Sequence, residues 1–134
     1  MFRELDSDDQ TLIEAARETL RKRYRDGRHT VAAAVRCACG RVHTGINVEA
    51  CGYGPCAEPI AIGAAFTQGD WHLQAVVAVC RRGDDYPVLS PCGNCRQLVL
   101  DYAPDASVIL RIDGVVMKTQ ARNLLPGPYW SNFE

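Results

Sequence analysis

Apolar positions along this chain alternate between helical and strand periods, and they outline a fold before any chemistry is considered. Leu12, Ala16, Leu20 and Tyr24 recur every four residues with Ile13 beside them, which makes one stripe of an amphipathic helix. Ser7 with Gln10 three residues later predicts a capping box at its start, and Asp26-Gly27 predicts its end. Residues 31–35 read as a buried strand, Cys39-Gly40 as a turn, and Val42 to Ile46 as the returning strand of a hairpin. Residues 47–55 contain Gly52, Gly54 and Pro55 and predict a loop. Residues 56–66 hold Ala61, Ile62, Gly63, Ala64 and Ala65, a helix apolar all round and so buried on more than one face.

Residues 73–80 are nearly continuous apolar and fit a central strand, and 81–85 form a polar turn. A third helix spans 92–102 and stops at Pro104; a strand at 107–112, the Asp113-Gly114 turn and a short strand at 115–117 follow. Residues 119–125 predict a last helix, followed by the aromatic tail Tyr129-Trp130. There is no internal repeat and no low-complexity segment. The order helix, two strands, helix, strand, helix, two strands predicts an α/β sandwich around a mixed sheet.

Composition narrows this to one domain spanning residues 1–134, with 47% apolar residues arguing against disorder. No apolar run approaches the roughly 20 residues of a membrane span, and Met1-Phe2-Arg3-Glu4-Leu5-Asp6 lacks the order of a signal peptide. Seven cysteines, an odd number, suit a reducing cytoplasm better than a disulfide framework. The net charge of −1 makes no global case for polynucleotide binding. Arg17, Arg21, Lys22, Arg23, Arg25 and Arg28 form one basic strip, but no aromatic residue interleaves with them as a stacking platform.

The chemistry lies in two segments, Cys56-Ala57-Glu58 and Ser90-Pro91-Cys92-Gly93-Asn94-Cys95. Catalytic zinc sites use three protein ligands and leave the fourth position to water, and Cys56, Cys92 and Cys95 make three. Glu58 stands two residues after the first ligand, placed as a proton carrier for that position. Both segments open predicted helices, whose N-termini favour thiolates, and Pro59 and Pro91 suit chain entry there. The alternative is a structural zinc knuckle completed by Cys37, Cys39, Cys51 or Cys80, with Cys37-Ala38-Cys39 at a hairpin tip. A tetrad of that kind leaves Glu58 unexplained.

Cys-x-Glu followed by Pro-Cys-x-x-Cys is the signature of zinc hydrolytic deaminases in its all-cysteine version. Over residues 31–130 the chain resembles the small homo-oligomeric cytidine deaminases and, within that group, the blasticidin S deaminases. The resemblance implies a three-layer sandwich with a five-stranded mixed sheet, one Zn2+ per subunit, a homotetramer, and hydrolytic loss of the 4-amino group from a cytosine nucleoside. It assigns Asn47 and Glu49 to the ribose hydroxyls, the Ala57 backbone to the base edge, and His29 to the position that often stacks on the base. Pro59 stands where many all-cysteine deaminases carry Arg, which leaves Arg96 to offset the negative charge of three thiolates on Zn2+. The nine-residue step from Asn47 to Cys56, the Gly54-Pro55-Cys56-Ala57-Glu58 wording and the Leu124-Leu125-Pro126 tail resemble the blasticidin S deaminases, whereas Glu49 fits an ordinary ribonucleoside. Cys51 and Cys80 are expected to be small buried residues. A non-catalytic zinc module and a polynucleotide deaminase using the basic strip complete the alternatives.

Overall fold

The computed structural model describes residues 1–129; Trp130 of the expected tail lies outside them. The first helix, α1 (Ser7–Arg23), buries Leu12, Ile13, Ala16 and Leu20 as its stripe predicts. Its cap lies one residue earlier than Ser7. Asp6 accepts from the backbone of Asp9 at 2.9 Å, and Asp9 accepts from the backbone of Asp6 at 3.0 Å. A carboxylate is the stronger acceptor, and Asp9 has a further reason to be fixed: it is fully buried and takes Lys118 Nζ at 2.6 Å.

Strands β1 (Val31–Cys37) and β2 (Val42–Ile46) form the expected antiparallel hairpin, and β1 pairs antiparallel on its other side with β3 (Leu73–Cys80). Beyond β3 come β5 (Ser107–Ile112), parallel to it, and β6 (Val115–Gln120), antiparallel to β5. The path is β2-β1-β3-β5-β6. These are the five strands the resemblance implied. A sixth, the two-residue β4 (Val88–Leu89), pairs with the end of β3 because the turn at Arg82–Asp85 folds the chain straight back. A two-residue pairing has no periodicity to detect. The last helix expected at 119–125 is another correction. β6 continues to Gln120, with the Thr119 side chain fully buried and bonded to the Met1 carbonyl, and only a 3-10 turn, Ala121–Asn123, follows.

Alternation along the strands sorts the side chains to two faces. Ala32, Ala34, Val77, Val79 and Ile109 pack under α1. Ala33, Val35, Val76, Ala78 and Leu110 pack under α2 (Ala57–Thr67) and α3 (Gly93–Tyr102). The three alanines of β1 leave room for a helix on each side. Gly45 on β2 allows the closest approach: a Cβ there would lie 2.5 Å from the Ala61 nitrogen and 2.9 Å from the Ile60 carbonyl carbon. Backbone atoms cannot yield as a side chain does, so this glycine sets the distance of α2 from the sheet.

Three of the six basic residues of the strip pair with acids of α1 itself. Arg21 reaches Glu14 and Glu18, Lys22 reaches Glu18, and Arg17 bonds the Tyr86 carbonyl. At the far end of the hairpin, Arg41 and His43 hold Asp70 at 2.5 and 2.7 Å. The Arg41 guanidinium, with His43, holds the Asp70 carboxyl down at about 2.

Gly45→Ala is expected to cost about 1–3 kcal/mol, a Tm drop of several degrees in thermal melting, with other small-residue changes on α2 unable to rescue it. Asp70 has its folded value below the ordinary 3.8, so its stabilisation is complete above about pH 4 and is lost as pH falls toward 2. Asp70→Asn should therefore show a shallower loss of stability between pH 4 and 2 in denaturant titrations.

Candidate active site

Both cysteine segments sit at helix starts: Cys56 follows β2 through the 47–55 loop, and Cys92 follows β4, which pairs with the end of β3. Cys56 is the N-cap of α2 and Cys92 the N-cap of α3, each with extended backbone and neither capping with its own side chain. Their sulfurs are thus free to turn away from the helix. Cys95 lies in the first turn of α3, buried. The three sulfurs lie within 4.8 Å of one another, and Cys56 Sγ is 3.6 Å from Cys92 Sγ.

That spacing fits a metal and not a disulfide. Zinc–thiolate bonds of about 2.3 Å in a tetrahedron put sulfurs about 3.8 Å apart, whereas a disulfide needs about 2.05 Å. Among the described residues no fourth cysteine joins the group, so the knuckle alternative lacks its last ligand. Cys51 is exposed and Cys80 partly so; the expectation that both are buried fails, because Cys51 sits in the 47–55 loop and Cys80 at a strand end.

The helix-terminus argument holds for one thiol of three. Burial pushes Cys92 up, but the backbone N–H groups of Cys95 and Asn94 and the neighbouring thiols outweigh it, and the net shift is downward. Burial pushes the Cys56 thiol up, with Cys92 adding to it. Burial and the Glu58 charge push the Cys95 thiol up strongly. Uncompensated thiolates repel one another here; a dication reverses that balance and deprotonates its ligands outright. Glu58 is buried, and desolvation raises its carboxyl, against the pull of its own backbone N–H and of Cys95.

A cavity of about 360 Å³ opens beside this cluster, and Asn47, Glu49, Cys56, Ala57, Glu58 and Cys92 are among its lining residues. Asn47 is buried and does double work. Its Oδ1 accepts from the backbone of Thr30 and Val31 at 2.7 and 3.0 Å, tying down the start of β1, and its Nδ2 donates to Glu49 Oε1 at 3.1 Å. Glu49 itself is exposed. His29 is not among the residues lining the cavity. Its Nδ1 is 2.9 Å from the Asn47 carbonyl, which only accepts, so that nitrogen carries the hydrogen. Arg96 bonds the carbonyls of Pro91 (3.0 Å) and Leu124 (3.3 Å), tying the approach to Cys92 to the C-terminal segment. Thr30 and Leu89 also line the cavity, and nothing in their local sequence marked them. Ser90 braces the second segment: its Oγ donates to the Arg111 carbonyl and accepts from the Arg111 N–H, both at 3.0 Å. A larger cavity of about 630 Å³ lies on the other side of Leu89 and Ser90 and contains none of the three thiols.

A three-layer α/β/α sandwich with a thiol triad across two helix starts and a carboxyl beside it defines a hydrolytic deaminase. The chain belongs to the cytidine and deoxycytidylate deaminase family: residues 6–111 match its zinc-binding region. Blasticidin-S deaminase from Bacillus cereus is 37% identical over 131 residues, 92% of this chain and 94% of that one. Cytidine deaminase from Mycobacterium tuberculosis H37Rv is 38% identical over 104 residues, 76% of this chain and 74% of that one. The crystal structure of cytidine deaminase from Mycobacterium tuberculosis superposes with a TM-score of 0.75 at 30% identity, covering 94% of this chain and 100% of that chain.

In metal-free reduced protein, Cys92 should alkylate ahead of Cys56 and Cys95, and added zinc should suppress its labelling, read by peptide mass spectrometry. Cys92→Ala should take up one fewer zinc per chain than the unaltered protein, measured after dialysis against zinc.

Proposed function

We propose that this chain is a zinc-dependent hydrolytic deaminase of cytosine nucleosides, cytidine or deoxycytidine, releasing ammonia. The observation that carries the reading is that Asn47 and Glu49 line the same cavity as Glu58, Cys56 and Cys92. One pocket then offers groups for a sugar and for the reacting base together. Cys56, Cys92 and Cys95 would hold the Zn2+, which when bound supplies a water acidic enough to attack at neutral pH.

Glu58 takes the proton of the attacking water and delivers it to ring N3, then carries the second proton to the departing amine. A buried carboxyl that desolvation raises above its ordinary value suits both directions of transfer. The Ala57 N–H in the first turn of α2 has no helical acceptor and reads the base edge. Glu49 accepts from a ribose hydroxyl, and Asn47 fixes its direction through Nδ2. His29 acts through its bond to the Asn47 carbonyl, or stacks at the pocket rim. Arg96 keeps a fixed positive charge one residue from the last thiolate, which offsets the net negative charge of a three-thiolate zinc centre.

Assembly as a homotetramer fits the exposed Val48 and Tyr53 on the loop that lines the pocket, since a neighbouring subunit would cover them. Seven free cysteines suit a reducing compartment, and among the described residues no helix is long and apolar enough to cross a membrane.

A second reading also has an observation behind it. The relative from Bacillus cereus aligns over nearly its whole length, and the nine-residue step from Asn47 to Cys56 is short. On that reading the substrate is blasticidin S, and Glu49 meets a different group. Ammonia release by zinc-loaded protein from cytidine, deoxycytidine and blasticidin S separates the two. Glu58→Gln should keep its zinc and lose at least ~10²-fold in rate on whichever substrate is turned over. Full activity in that variant would remove Glu58 from the proton transfers.

A further inference from the structure

A second group of ligand atoms lies at the opposite end of β1. β1 starts beside the deaminase cavity at Val31 and ends at Cys37, a strand length of about 20 Å away. There the Cys37 sulfur, a His43 ring nitrogen and an Asp70 carboxylate oxygen lie within 4.8 Å of one another. Cys39, exposed at the hairpin tip, shares the wall of the adjoining cavity with Cys37 and Asp70. The residues come from three places: the hairpin tip, the start of β2 region at His43, and the link from α2 to β3.

Two further observations point to an ion. Cys37 is 1% exposed, and its thiol reaches the Asp70 carbonyl only at 4.0 Å, a long and weak bond that a cation would readily replace. A cavity of about 180 Å³ opens at the same place, lined by Cys37, Cys39 and Asp70 among others. Asp70 is now held by Arg41, whose side chain is 66% exposed and can swing into solvent, and by His43 at 2.7 Å, a contact that an ion between the two would replace.

We propose that Cys37, His43 and Asp70, joined by Cys39 turning in from the hairpin tip, form a second, closed binding site for a thiophilic divalent cation of the zinc type. Two sulfurs, an imidazole and a carboxylate are a tetrahedral donor set with no open position, which suits a structural ion. Two thiolates and a carboxylate carry three negative charges; a dication and Arg41 beside it neutralise them. The ion clamps the tip of the β1–β2 hairpin to the entry of β3. It takes no part in the reaction at Glu58.

The test counts metal in the full chain. Reduced protein is stripped with a chelator, dialysed against zinc at a low free concentration, and assayed for zinc and protein. The unaltered chain should hold one zinc ion more than His43→Gln. Equal counts in the two proteins overturn the proposal. Cys39→Ser, at an exposed hairpin tip, gives the same comparison should His43→Gln not fold: one ion fewer supports the site, and an equal count overturns it. Cys56, Cys92 and Cys95 are intact in both variants. Ammonia release therefore reports on the deaminase centre separately, and failure of either reading leaves the other standing.

Discussion

Everything at the cavity depends on two helices starting at one point. Cys56 opens α2 and Cys92 opens α3, 35 residues of chain lie between them, and their sulfurs come within 3.6 Å. Metal–ligand distances tolerate only about 0.2 Å of error. The approach of α2 to the sheet is therefore a chemical parameter as well as a packing one. Gly45 sets it, because a single methyl there would meet the backbone of Ile60 and Ala61. Ala33 beneath α2, and Ala57, Ala61 and Ala65 along it, keep the layer thin. On the α3 side, Ser90 fastens the incoming segment to β5 and Arg96 fastens it to the C-terminal segment.

Electrostatics at the two ends of β1 work in opposite directions. Beside the cavity, burial raises Glu58, Cys56 and Cys95, and only Cys92 falls. At the hairpin tip, Asp70 stays ionised down to about 2 because Arg41 and His43 face it. The same strand thus joins a centre where burial raises a carboxyl to one where facing charges lower another. A third buried charge, Asp9 with Lys118, ties α1 to β6 and has no counterpart among the cavity residues.

The fold was legible where burial imposes a period. The stripe of α1, the alanine-rich α2 and the continuous apolar run of β3 are consequences of which faces must leave water, and each lies where its pattern puts it. Errors came where a single contact outweighs pattern. Asp9 is drawn to Lys118 and takes the cap with Asp6; Thr119 is buried against the N-terminus and extends β6 over residues that look helical; β4 is two residues long.

The cysteine triad and Glu58 were readable because metal chemistry fixes residue types and their local spacing, and a helix start converts that spacing into geometry. By itself, the chain order marked out the cysteine triad, the carboxyl beside it and the class of reaction. Only the tertiary structure decided what surrounds them. It turned Asn47 toward Glu49 and the start of β1, put Thr30 and Leu89 on the cavity wall, left His29 off it, and sent the Arg96 donors to carbonyls. It also gathered Cys37, His43 and Asp70 at the far end of the sheet. The physical reason is that these contacts join residues distant in sequence, and no local period or spacing encodes which partner a side chain meets once the layers close.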